Sequence, residues 1–257
     1  MTNSAVNHPR VSIVIATYDR CERLKGCIEA IRRSVDADHE VIVVGGGAGD
    51  GTEAWLEAQD DIRFVRETRR EGATRAYNKG FRVAVGTYVM WLNDDARVLP
   101  GAVEAAVAMI EHPDLADVGM VAFYHNSDRV RNRLDSVERD GIVYRIYNVR
   151  GTPYANFGML RRELLERLGY LDERFYFCAW DPDLSLKVQR EAHLKVVGCR
   201  RALIHHEELI DARKREDLAV ARADNERLFA KWKLPERFSY PDPAPAYRQM
   251  LRDRALI

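Results

Sequence analysis

Tyr88-Val-Met-Trp-Leu92 runs straight into Asn93-Asp94-Asp95, an unbroken apolar stretch that ends on two carboxylates. A strand without polar alternation is buried on both faces, as the inner strands of a parallel sheet are. The acidic triplet at its end cannot be core packing, so it is solvated, paired or bound to a metal. Upstream, the same strand, loop and helix unit recurs. Arg10-Val-Ser-Ile-Val-Ile-Ala16 leads through Thr17-Tyr-Asp-Arg20 to a helical pattern with Leu24, Ile28 and Ile31 on one face. Glu40-Val-Ile-Val-Val44 enters a glycine-rich turn, Gly45 to Gly51, before a helix from near Thr52. Ile62-Arg-Phe-Val65 and a helix over Ala73 to Val85 complete the series. This alternation predicts an α/β fold, a doubly wound, Rossmann-like and mostly parallel sheet with helices on both faces, whose ligands sit at the carboxyl ends of the strands.

Downstream, Pro100 to Ile110 fits a helix and Asp117 to Tyr124 a further strand. Between Asp128 and Arg150, six arginines interleave with Val143, Tyr144, Ile146 and Tyr147; that pattern suggests a hairpin beside the sheet, its arginines a solvated face or a contact to acceptor or phosphate. Arg161 to Leu168 and Asp181 to Arg190 read as helices, and Lys195-Val-Val197 and Ala202-Leu-Ile204 as strands. One α/β unit is expected over residues 1–210, in two halves at about 10–95 and about 96–210. Residues 211–257, a charged helix and a Pro-rich passage, read as a C-terminal helical appendage. It is expected to pack as a solvated face, with lid closure or a homodimer contact as the alternatives.

The chain has 257 residues, with 40 Lys+Arg against 40 Asp+Glu. Its balanced charge removes the long-range attraction to polyanions and argues against a general nucleic-acid partner. No apolar run approaches the roughly 20 residues of a membrane span, and Met1 to Asn7 has no signal-peptide character, so a soluble, cytoplasmic protein is expected. Four cysteines, Cys21, Cys27, Cys178 and Cys199, are too irregularly spaced for a disulfide framework or zinc site.

Three clusters can carry chemistry. The hard oxygens of Asn93-Asp94-Asp95 suit Mg²⁺ or Mn²⁺, which commonly bridge diphosphates, although an ordinary turn also accounts for such a triplet. His205-His206 closes a later strand; such pairs are usually surface or packing residues, yet one imidazole could complete a metal site begun by Asp95. Trp180-Asp-Pro-Asp183 opens a helix, where aspartate and proline are ordinary first-turn residues, but an aspartate in a partly apolar mouth could also act as general base. The glycine-rich turn is not a dinucleotide fingerprint. Its only match, Gly49, Gly51 and Ala54, lies several residues beyond the strand end.

In their order along the chain, these motifs resemble family 2 of the glycosyltransferases, enzymes of the GT-A fold that use nucleotide sugars, near its rhamnosyltransferase-like members. The resemblance runs from about Val11 to His206. It rests on Val11-Ser-Ile-Val-Ile-Ala-Thr-Tyr-Asp19, Gly72-Ala-Thr-Arg75-Ala-Tyr-Asn78-Lys-Gly80, Gly86-Thr-Tyr-Val, the acidic triplet, Asn156-Phe-Gly-Met-Leu-Arg-Arg162 and Gly169-Tyr-Leu-Asp-Glu-Arg-Phe175. It implies that Thr17, Tyr18 and Asp19 border the nucleotide base, with Gly45 and Gly46 beside them, and that Asn93 and Asp94 lie near the ribose or sugar. Arg75 and Asn78 would orient the donor, and Asp95, with His205 or His206, would hold a divalent metal, Mn²⁺ or Mg²⁺.

The sequence departs from the family at two points. Gly45-Gly46-Gly47-Ala48 stands where Asp-Asp-Gly-Ser is usual, leaving only Asp50-Gly-Thr52 and removing a carboxylate for the base edge. Trp180 replaces the Glu of a Glu-Asp pair, so the catalytic base is carried onto Asp181, with Asp183 as second choice. The expected function is a metal-dependent inverting transfer of a sugar from a nucleoside-diphosphate sugar to an acceptor hydroxyl on a small molecule, glycan, peptide or lipid-linked carrier. The alternatives are a noncatalytic sugar-nucleotide or glycan-binding relative and a sugar nucleotidyltransferase. The latter is disfavoured because Gly45 to Gly51 contains no basic residue.

Overall fold

A computed structural model describes residues 8–47, 49–126, 132–207, 212–236 and 239–257. Of the positions read from sequence, Met1 to Asn7, Ala48 and the Asp128 to Arg131 part of the arginine-rich segment lie outside these. The first half follows the expected alternation: β1 (Val11–Ala16), α1 (Cys21–Ser34), β2 (His39–Gly45), α2 (Thr52–Glu57), β3 (Ile62–Arg66), α3 (Ala73–Val83) and β4 (Tyr88–Asn93). The second half comprises β5 (Ala96–Val98), α4 (Ala102–Glu111), β6 (Val118–Asn126), β7 (Arg133–Arg139), β8 (Ile142–Val149), β9 (Thr152–Tyr154), β10 (Gly158–Arg161), α5 (Arg162–Arg167), α6 (Trp180–Arg190), β11 (Lys195–His206), α7 (Ala212–Trp232) and α8 (Ala244–Asp253).

The main sheet has the order β3-β2-β1-β4-β10-β6-β11-β5. Strands β1, β2 and β4 run parallel, with Ala16 level with Val44 on one side and Asn93 on the other. Their carboxyl ends therefore share one edge, which brings Thr17, Gly45 and Asp94 together. Ile13, Val14, Ile15, Val43, Met90, Trp91 and Leu92 are all fully buried, as strands covered on both faces must be.

Two strands break the parallel pattern. β10 lies antiparallel between β4 and β6, entering the sheet beside Trp91; a Cβ on Gly158 would lie 2.5 Å from that indole, so only glycine lets the strand pass. β5 is three residues long and pairs antiparallel with the end of β11, placing Ala96 opposite His206. The arginine-rich excursion is a hairpin, β7 on β8, attached to β6 through His125 and Asn126.

The C-terminal residues are fastened to the rest of the chain. Asp224 on α7 is 2% exposed and accepts N–H bonds from Tyr176, Phe177 and Cys178. On α8 the Tyr247 hydroxyl accepts from Gly198 N–H at 2.7 Å, and Arg254 grips both oxygens of Asp117. The reading of this tail as a solvated face thus gives way, over α8 and the second half of α7, to buried polar anchors.

Candidate active site

Asp94 and Asp95 are each 3% exposed, yet both line a cavity of about 1400 Å³ at the carboxyl edge of the sheet. Thr17, one residue past β1, donates its hydroxyl to Asp94 Oδ2 at 2.9 Å. Arg20, immediately before α1, points Nη1 at Asp95 Oδ2 (2.7 Å) and Asp94 Oδ1 (3.4 Å). Register does the rest: because β5 pairs with β11, His206 Nε2 comes within 3.0 Å of Asp95 Oδ1. Burial works against the charge on Asp95, but the bonds and charges of His206 and Arg20 prevail and hold its pKa at about 2. Of the two histidines, His206 reaches the carboxylate; His205 lines the cavity beside it.

Asp95 and His206 suit a divalent cation in one respect. Two adjacent ligands about 2.1 Å from a six-coordinate ion stand about 3.0 Å apart, which is the Oδ1 to Nε2 separation. Among the described residues no group of three or more His, Cys, Asp or Glu is placed to hold a metal. The pair therefore fits an ion whose remaining ligands are phosphates and water rather than a closed protein cage.

Asp181 enters the same cavity from the first turn of α6, where negative charge is favoured. Asn156 holds it, donating Nδ2 to Asp181 Oδ2 at 3.0 Å, while Asn156 Oδ1 accepts from His125 Nε2 at 3.1 Å. The Asn156 backbone is pinned as well, its carbonyl accepting from Trp91 Nε1 at 2.7 Å. Trp180, which stands in for the family's Glu, packs with its ring 4.7 Å from Tyr77 and 5.7 Å from Trp91, walling the cavity with aromatic surface.

The structure removes several residues from the expected set. Asp183 is 1% exposed and clamped by Lys231 and by Trp232 Nε1 at 2.6 Å, so it fastens α7 instead of facing the cavity. Asn78 is fully buried; it donates to Leu171 O and Glu173 and accepts from Leu171 N–H, bracing the loop before α6 rather than orienting a donor. Arg75 is half exposed and pairs with Glu173 outside the cavity lining. Tyr18 lies under the Arg70 guanidinium and Asp19 is exposed with φ +54°, while Ala16 and Arg20 on either side of this turn form the wall. Asn93 does line the cavity, its Oδ1 accepting from the Tyr77 hydroxyl at 3.1 Å.

The glycines after β2 have a packing cause. A Cβ on Gly45 would lie 2.6 Å from the Thr17 carbonyl, and one on Gly46 would collide with the Glu67 carbonyl. The turn is drawn against the end of β3, leaving no room there for a carboxylate side chain. Asp50, the acidic residue retained from the family pattern, accepts from Cys21 N–H and caps α1. Sequence reasoning missed Arg20 and His125. Only the order of β1 and β4 could have shown Arg20 facing two carboxylates.

Residues 12–169 match Glycosyl transferase family 2. The chain is 29% identical over 197 residues to the glycosyltransferase YwdF of Bacillus subtilis, covering 74% of this chain and 72% of that protein. It is 26% identical over 268 residues to the O-antigen biosynthesis protein RfbC of Myxococcus xanthus, covering 91% of this chain but only 20% of RfbC. Among solved structures, the mannosyltransferase PcManGT from Pyrobaculum calidifontis, in complex with GDP-Man and Mn²⁺, superposes with a TM-score of 0.65 at 24% identity, covering 98% of this chain and 73% of that one. S. aureus TarS 1-349 gives 0.57 at 14% identity, over 95% of this chain and 72% of that one. These likenesses agree with the GT-A fold expected from the motifs.

Proposed function

This chain belongs to glycosyl transferase family 2 and is a glycosyltransferase, and from that premise we propose that it moves a sugar from a nucleoside-diphosphate sugar to an acceptor hydroxyl by a single, inverting displacement. One observation carries the reading: Asp94, Asp95, His206 and Asp181 all open into one cavity. Its volume of about 1400 Å³ exceeds the roughly 300–1,000 Å³ of an ordinary ligand pocket and suits two substrates side by side.

Asp181 is the general base. It accepts the proton of the acceptor hydroxyl as that oxygen bonds to the anomeric carbon and the bond to the diphosphate breaks, so no covalent enzyme intermediate is needed. Asn156 fixes the direction from which Asp181 takes the proton. Asp95 and His206 would hold a divalent cation, which when bound would supply positive charge against the departing diphosphate. Trp180 and Tyr77 cover the reacting face with apolar surface and exclude water, whose attack would hydrolyse the donor. With Gly45 and Gly46 closed against neighbouring backbone, the nucleobase is recognised without a side-chain carboxylate from this turn.

The test is release of nucleoside diphosphate from GDP-mannose and a panel of UDP- and dTDP-sugars, with Mn²⁺ or EDTA and with sugar, peptide and lipid-linked acceptors. Acceptor-stimulated release that EDTA abolishes is the expected result. Nucleotide binding with no release from any donor establishes the noncatalytic alternative, and pyrophosphate release from a nucleoside triphosphate establishes the nucleotidyltransferase.

A further inference from the structure

β11 does not run evenly against β6. Cys199 is level with Phe123 and Leu203 with Tyr124, so Arg200, Arg201 and Ala202 have no counterpart on the neighbouring strand. Consecutive residues of a regular strand point to opposite faces, but here Arg200 and Arg201 both line one cavity of about 400 Å³. A bulge re-aims side chains in this way. Arg139, at the end of β7, joins them, and the cavity shares no lining residue with the catalytic one. The three guanidinium groups are not equally engaged. Arg200 is braced against the hairpin, with Nη1 3.3 Å from the buried Asp135 Oδ2 and Nη2 donating to Ser136 O at 3.1 Å. Arg139 is half exposed and has only the exposed Asp140 near it, 3.7 Å from Nε. Arg201 is exposed, and its guanidinium makes no hydrogen bond or ion pair among the described residues. Glu138 also lines the cavity and pairs with none of the three, so an excess of positive charge stays in the wall. Gly101, just before the 10-residue α4, borders the cavity too; no side chain caps that helix, whose dipole adds positive potential.

We propose that this second cavity binds the phosphate group of a phosphate ester, at a site separate from the catalytic one. Arg139 and Arg201 supply the contacts, since a guanidinium presents a planar fork of donors that matches phosphate oxygens. Arg200, tied to Asp135 and Ser136, keeps the bulge of β11 against β7, so that arginines from two strands serve one cavity. A volume of about 400 Å³ falls within the roughly 300–1,000 Å³ of ligand pockets and leaves room for the group that the phosphate esterifies. The arginine-rich segment thereby gains, through Arg139, a use beyond solvation. The inference does not depend on the reading of the catalytic cavity and stands if that reading fails.

The test is isothermal titration of the full chain with inorganic phosphate and with glycerol 3-phosphate, for wild type, Arg201→Met, Arg201→Lys and the double variant Arg139→Met/Arg201→Met. Sedimentation with phosphatidylcholine vesicles, with and without phosphatidic acid, runs beside it. Wild type is expected to show a saturable site that Arg201→Met weakens about 10–100-fold, the loss of a charge-assisted contact, and that the double variant lacks. Arg201→Lys, which keeps the charge and loses the fork, falls between. Both side chains are exposed, so melting curves should match wild type. Glycerol 3-phosphate binding that the double variant loses, with no sedimentation, assigns the phosphate to a soluble ester. Sedimentation with phosphatidic acid that the double variant abolishes assigns it to a lipid headgroup, and either result supports the site. Absence of a saturable site overturns the proposal, as does affinity within twofold of wild type in the double variant, which places the phosphate elsewhere. Loss of binding with a lowered melting temperature in every variant, the lysine included, also overturns it and makes these arginines structural.

Discussion

Asp95 and Asp181 face one cavity from two regions that are built differently. Asp95 follows a strand sealed in a parallel sheet, and Thr17 and Arg20, its neighbours' partners and its own, come from the adjacent strand end. Asp181 stands on a helix whose approach loop is held by side chains from far along the chain: Asp224 under residues 176–178, Lys231 and Trp232 on Asp183, and Asn156 on Asp181 itself. The Asp95 side is thus a product of sheet register, and the Asp181 side a product of buried polar clamps. The difference teaches that one can be disturbed while the other stands.

The sharpest use of that contrast is Asp181→Asn. It should lower turnover by about 10²–10⁴-fold while nucleoside diphosphate binding, measured by titration, stays unchanged. Near wild-type turnover would remove Asp181 from the mechanism. Asp224→Ala comes next. It leaves three N–H groups without their acceptor and should cost about 2–3 kcal/mol of stability, seen as a lower denaturant midpoint and a raised acceptor KM. An equal change in nucleotide affinity would show that the two sides are one cooperative unit and break the comparison.

The smallest effect is a pH dependence. Asp95 titrates at about 2 when folded and near 3.9 in an unfolded chain. Its contribution is therefore present above about pH 4 and is lost as pH falls through 2, with roughly 2 kcal/mol of the loss falling between pH 5 and pH 2. Asp117 and Asp172 are also held below the usual carboxylate range, by Arg254 and Lys195 in one case and by Arg174 and Lys231 in the other. The measurement is accordingly the difference in unfolding free energy between wild type and Asp95→Asn from pH 5 to pH 2. A constant difference across that range would mean that folding leaves the Asp95 pKa unshifted.

The same contrast governs what could be read in advance. Apolar runs identify β1, β2 and β4, and the acidic triplet marks where they end, because burial on both faces writes itself directly into residue type. β5 left no such trace: at three residues it is too short for any periodicity, yet its pairing is what delivers His206 to Asp95. β10 reads as an ordinary apolar segment, and its reversed direction follows from its neighbours alone. Asp183 and Asn78 were legible as polar residues near a site, but a clamp and a catalytic group look identical locally. Lys231, which decides the role of Asp183, lies 48 residues away, and Leu171 and Glu173, which decide that of Asn78, lie more than 90 away. Arg20 escaped for the same reason.

The recognisable family region ends at residue 169, whereas the helix bearing Asp181, the strand bearing His206 and the clamps on α7 all follow it. An engineer who transplanted only that region, or who spliced a new module onto its boundary, would leave behind Asp181 and His206 and with them part of the cavity wall. A transplant that keeps the helix bearing Asp181 anchored extends through Trp232, since Asp183 depends on that indole and on Lys231 beside it.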